Sequence, residues 1–311
     1  MSWRKPMEAE TRLTVRNAVK VRAALKQSVD SKTIFQAYQA TQPVSSGNLA
    51  QDRARARAWA IINVRVNLET MKMVLLRIWA TGYILGDLAA QELIAQARRK
   101  ARKSADIHKA DLDVEGGIDW DTWTPGDELS ALILKPTKAF KRLLERQGFT
   151  LKEFSDTTLR DIGNALGEAI ALGLSPTQAA RLINRSIADP SRALTIAITE
   201  SNRAISVATM ERYKEAGLEQ HMWQASDLAC DDCEENNGEI RAIGELFPSG
   251  DPNPPVHPHC KCALEPVIPD FDSPAYTGGS VLELSSTPTR KAEPVTVRHI
   301  NPHALQIEWV D

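Results

Sequence analysis

The chain has 311 residues, 42% of them apolar and 25% charged, with a formal net charge of −2. This is ordinary globular composition, long enough to bury a sizeable core in one to three domains, and it excludes a disordered or fibrous chain. The near-neutral total hides a split. Residues 1–103 hold 19 Lys and Arg against 7 Asp and Glu, a net of +12, whereas residues 104–311 hold 19 against 33, a net of −14. A basic front half suggests an anionic partner, either nucleic acid or an acidic protein surface, set against a solvated helical face as the plainer explanation.

In chain order, residues 8–29 interleave small apolar side chains (Leu13, Val15, Val19, Val21, Leu25) with Arg12, Arg16, Lys20, Arg22 and Lys26, a helical spacing with a weak apolar stripe. Thr41 to Gly47 is a breaker cluster and predicts a turn. From Leu49 to about Lys103 the periodicity predicts two helices parted near Thr81-Gly82. The first carries a core or oligomer stripe of Ile61, Ile62, Val64, Leu68, Met71, Leu75, Ile78 and Trp79. The most apolar stretch, Trp59 to Leu88, is broken by Arg65, Glu69, Lys72 and Arg77, so no membrane partner is expected. Arg98 to Lys103 places cations where a helix C-terminus favours them.

Residues 104–126, with Gly116-Gly117, Trp120 and Trp123, predict a boundary or interaction loop. Helix signals return over 127–148, ending at Gly148, and again up to Gly173. Ser175-Pro176-Thr-Gln178 spells a capping box with proline at the first helical position. Asp189-Pro190 repeats the device and opens a longer helix to about Ala216-Gly217. Short strands are expected at His221–Gln224 and Lys261–Val267. The prediction is a mainly α fold with a small α+β, cysteine- and histidine-bearing C-terminal unit. Four segments follow: a basic helical domain (1–103), a connector and helix (104–149), the cysteine-bearing domain (150–268) and a C-terminal tail or arm (269–311).

All four cysteines fall between Cys230 and Cys262. Cys230-Asp-Asp-Cys233 is followed by His257-Pro-His259-Cys260-Lys-Cys262 behind the prolines at 252, 254 and 255. The N-terminus carries no signal-peptide pattern, so a reducing compartment is the default and clustered cysteines are read as metal ligands. Zinc takes four such donors in a tetrahedron, and Cys-x2-Cys converges two thiolates on one ion. The candidate ligands are Cys230, Cys233, Cys260 and Cys262, with His257 or His259 able to replace one cysteine. Disulfides and free thiols are the other two states open to the cluster. Thiolate-rich zinc sites are closed and structural, so no catalytic residue is assigned. Glu200, between Arg192 and Arg203 in the sequence, is read as an ion-pair or capping partner. No nucleotide-binding glycine motif and no nucleophile elbow occurs, and no small-molecule substrate is expected.

Ile196-Ala-Ile198-Thr-Glu200-Ser-Asn202, then Tyr213, Gly217, Trp223, Asp227, Cys230-x-x-Cys233, Gly238, Phe247, Pro254-Pro255 and His257-Pro-x-Cys260-Lys-Cys262, resembles the phage Mu F-like minor head (head morphogenesis) protein family. The resemblance covers roughly residues 150–268. One departure is Ile198, where the family commonly has arginine. The resemblance implies a non-enzymatic virion component, assembled in the host cytoplasm and sited inside the capsid near the portal vertex. It would act in head morphogenesis and in packaging or ejection of DNA, with the portal, other head proteins and double-stranded DNA as partners. The alternative is a zinc-dependent nuclease or hydrolase in which a histidine faces an open metal position.

Overall fold

The computed structural model describes residues 4–41, 44–104, 118–227 and 229–268. The predicted tail and most of the acidic connector lie outside the described residues. Helices dominate: α1 (Arg4–Gln27), α2 (Ser31–Thr41), α3 (Leu49–Asn63), α4 (Glu69–Ser104), α5 (Asp127–Leu134), α6 (Lys138–Glu145), α7 (Gln147–Ala171), α8 (Pro176–Ile187), α9 (Pro190–Glu215) and the short α10 (Asp231–Asn236). The strands β1 (Gln220–Gln224), β2 (Ile240–Ala242) and β3 (Ala263–Val267) form one antiparallel sheet in the order β2-β1-β3, with His221 opposite Arg241 on one side and Pro266 on the other. The mainly α fold with its small C-terminal α+β unit is as the sequence predicts.

Two compact units interleave along the chain. One takes residues 1–14, 79–141 and 198–311, the other residues 15–78 and 142–197, so α1, α4, α6 and α9 each contribute to both.

In the second unit α3 packs on α7 through a pair of glycines. A Cβ on Gly163 would lie 2.5 Å from Arg57 Cα, and one on Gly167 would lie 2.6 Å from Arg53 Cα. Only hydrogen at those positions lets the backbones approach so closely. Arg53 also pairs with Glu168 at 2.9 Å. The Ser175–Gln178 capping box is present as predicted, and the Gly173 terminator has φ +62° with Leu174 N–H returning to the Ala169 carbonyl. Asp189 caps α9 through the Arg192 N–H at 2.9 Å.

The first unit repeats the glycine device. Gly82 and Gly86 on α4 face α9, where added Cβ atoms would meet Ser201 O at 2.8 Å and Ile205 Cα at 2.7 Å. This explains a correction: α4 runs unbroken through Thr81-Gly82, because that glycine is a packing contact and not a terminator. The real break is Val64–Leu68, so the predicted apolar stripe is divided between the end of α3, the break itself and α4, and Ile61 and Ile62 point outward, 62% and 71% exposed. Gly148 likewise sits inside α7, and the predicted 127–148 helix is split into α5, α6 and the start of α7. By length and hydropathy α4 could cross a membrane, but 67% of its apolar window is buried inside the protein, as in a core helix. Trp120, predicted to lie in a boundary or interaction loop, is a core residue: it packs with Leu85, Leu93 and Ile205, and its indole donates to Glu92 at 2.6 Å.

Candidate metal centre

The cysteine cluster is assembled by elements that converge on a single core. Tyr213 and Leu218 on and after α9, Trp223 on β1, Phe247, and Leu264 on β3 pack around Cys233, Cys260 and Cys262. Cys230 caps α10 and Cys233 sits one turn into it, so the Cys-x2-Cys spacing delivers two sulfurs from one helical turn. Glu234 N–H bonds to the Cys230 carbonyl at 2.9 Å, which closes that turn. The second half rides on a tight loop after the cis Pro254-Pro255 bond. Cys260 N–H returns to the His257 carbonyl, and His259 adopts φ +68°. Asn236, buried in the core, fixes the intervening segment by exchanging hydrogen bonds with Ser249 at 2.8 and 3.0 Å.

The donor atoms fall into two overlapping groups, Cys230–Cys233–His257 and Cys233–Cys260–Cys262. Within each group they lie within 4.8 Å of one another, the spacing needed to hold a metal ion. Cys233 is shared. Its sulfur is 3.3 Å from His257 Nε2 and 3.9 Å from Cys260 Sγ. His257 Nδ1 lies 2.7 Å from the Pro258 carbonyl. A carbonyl can only accept, so Nδ1 carries the proton and Nε2 turns a bare lone pair to the sulfurs, the orientation a ligating imidazole needs. His259 is in neither group, and its N–H donates to Thr199 Oγ1 at 2.9 Å.

Three thiols this close cannot all ionise without a cation. Burial, reinforced by neighbouring Cys260, pushes the Cys233 thiol up to about 12. A hydrogen bond from Cys262 draws Cys260 down to about 6, and that same bond together with burial holds Cys262 protonated. Cys233 and Cys262 are thus held towards the protonated form, and a divalent cation would reverse that balance by replacing the protons.

The helix in front of the cluster holds it from behind. Asn202 Nδ2 donates to the carbonyls of both Cys260 and Cys262, at 2.9 and 3.1 Å, and Tyr213 O–H donates to the Leu264 carbonyl at 2.9 Å. Thr199 and Asn202 are three residues apart and so share one face of α9. Glu200 is buried as the ion-pair partner that the sequence predicts. It pairs with Arg203 at 3.4 Å and accepts from the Trp79 indole at 2.8 Å, while Arg192 goes to Asp161 at 3.1 Å. Sequence reasoning did not single out His221, which is buried against Phe247 at 5.3 Å between ring centroids, with neither ring nitrogen hydrogen-bonded.

Fold and site together define a helical protein whose terminal α+β module is gathered around a cysteine–histidine cluster. Residues 160–265 match the family model of Phage Mu protein F like proteins, so this segment is similar to that family. No match was found among curated proteins or solved structures.

Proposed function

We propose that the chain is a phage minor head protein, a non-enzymatic virion component that acts in head morphogenesis. The observation that carries this reading is the coincidence of the Mu F-like segment, residues 160–265, with a donor cluster enclosed by its own core. Residues 1–103 would serve docking on the portal or contact with packaged DNA, and residues 150–268 would form the clamped module at the portal vertex inside the capsid.

In this reading the ion is zinc, held by Cys230, Cys233, Cys260 and Cys262, with His257 either as a substitute for one cysteine or as a neighbour that orients the ligands. Arms of about 2.3 Å to sulfur give a tetrahedron edge of about 3.8 Å, close to the 3.9 Å between Cys233 and Cys260. Five donors compete for four positions, and three of the cysteines are buried. That surplus of thiolate leaves no open position for water, which favours a structural role over hydrolysis.

The test is paired. Elemental analysis of the purified chain should give one zinc per chain, and the portal protein should co-purify with it at moderate salt. Absence of metal beside four reactive thiols would remove the clamp. Failure to retain either portal or duplex DNA would remove the docking role.

A further inference from the structure

The outward face of α3 is unlike that of an ordinary surface helix. Asp52, Ala56 and Ala60 are buried on its inner side, yet Ala54, Ala58, Ile61 and Ile62 form a second apolar stripe that faces solvent, flanked by the exposed Arg57 and, just past the helix, Arg65. Spacings of four residues pair Arg57 with Ile61 and Ala58 with Ile62 along two adjoining rows of the helix. Among the described residues nothing covers this second, apolar face of the helix. The unit that carries it (residues 15–78 and 142–197) holds 18 Lys and Arg against 9 Asp and Glu, a net of +9. Arginine beside bare aliphatic side chains is the chemistry of a protein contact, whereas a phosphate-tracking surface is polar as well as basic.

The other unit has the matching surface. Over its described residues it holds 16 Lys and Arg against 21 Asp and Glu, a net of −5. Asp231, Asp232 and Glu235 on α10 are exposed, and Ile240 and Leu246 nearby are 42% and 56% exposed. We propose that the α3 face receives a second copy of this chain, the acidic, apolar surface around α10 and β2 of one copy seating on Arg57, Ile61, Ile62 and Arg65 of the next. Different patches meet, so the contact is head-to-tail and propagates into a ring or short file of copies instead of stopping at a two-fold dimer. The contact requires neither the metal nor the phage assignment.

Sedimentation of the full chain tests it. At low salt the protein should assemble with rising concentration, and at about 1 M salt, where screening shortens to about 3 Å, the assemblies should fall apart. Arg57→Glu with Arg65→Glu should weaken association at least tenfold, as should Ile61→Asp, and so should Asp232→Lys with Glu235→Lys. All these positions are exposed, so helix content should not change. Mixing the two charge-reversed variants should restore association, since each retains the intact half that the other lacks. A chain that stays monomeric at low salt overturns the proposal, as does assembly that survives every substitution. If Arg57 and Arg65 are instead required to retain duplex DNA and the chain does not self-associate, the face belongs to nucleic acid and the proposal fails.

Discussion

Asn202 on α9 donates its side-chain amide to the carbonyl of Cys260 at 2.9 Å, joining the long helix to the second half of the cysteine cluster. The same amide reaches Cys262 at 3.1 Å, and both ends of the contact are buried. Asn202→Leu would leave two buried carbonyls without a donor, at a cost of about 1–3 kcal/mol. Asn202→Asp would aim a carboxylate at them and cost more. Because the two carbonyls belong to donor residues, metal affinity should also fall by about 10–100-fold, as when any orienting partner of a ligand is lost. Urea unfolding and competition with a chromogenic zinc chelator measure the two effects. Unchanged values in both would show that Asn202 orients nothing.

This relationship also shows where sequence reading stops. The Cys-x2-Cys and His-x-His-Cys-x-Cys spacings announce a local cluster, because a turn is enough to converge such donors. The capping box at Ser175 and the terminator at Gly173 are equally local and equally legible. Gly82 was not, since a helix-breaking glycine and a glycine that admits a neighbouring backbone look the same in one dimension. Only the closeness of Ser201 distinguishes them. For the same reason Ile61 and Ile62 read as core, although the chain turns them outward. His221 gave no signal at all, because its burial depends on Phe247, 26 residues further on in the chain.

The glycine seams give a second prediction. Glycine is a poor helix former, so replacing one by alanine in a free helix would gain about 1 kcal/mol. At Gly86 the new methyl would press on the Ile205 backbone, and at Gly163 on Arg57. Backbone cannot swing aside as a side chain can, so overpacking costs of about 1–3 kcal/mol or more should win. Gly86→Ala and Gly163→Ala should both lower the melting temperature, whereas Gly148→Ala, with open space around it, should not. A stabilised Gly86→Ala protein would mean that the α4–α9 approach is looser than described.

Metal binding should be proton-coupled. With Cys233 pushed up to about 12 and Cys262 also raised, the metal-free cluster binds more protons than the loaded one, so raising the pH favours loading. Each thiol that must give up a proton steepens the affinity by about tenfold per pH unit, and Cys233 alone supplies one such step. Cys260, drawn down to about 6, adds a further step only below that pH. Chelation should destabilise the module, by about 3–4 kcal/mol if metal is present at 100–1,000 times its dissociation constant. Calorimetric titration in buffers of different ionisation enthalpy reads the proton count. A pH-independent affinity between pH 6.5 and 8 would show that Cys233 is not a ligand.

His221 sets the acid limit of the same core. Its ring is fully enclosed, stacks on Phe247 and has no hydrogen-bond partner at either nitrogen, so the charged form has nothing to replace water. Burial, with Lys214 nearby, lowers it from 6.5 to about 4. The folded value is depressed, so the unfolded chain takes up a proton that the native state refuses. Stability is therefore intact above pH 6.5 and is lost as pH falls towards 4, by about 3 kcal/mol at the lower end. Glu10 and Glu265, raised by burial, act in the opposite sense, binding protons in the folded state as the pH drops. The difference between wild type and His221→Phe cancels those carboxyl contributions and retains the stack on Phe247. Unfolding free energies measured from pH 7 to pH 4.5 should show wild type losing stability relative to His221→Phe. Parallel curves across that window would mean that the imidazole finds a partner when protonated and that His221 does not limit the module in acid.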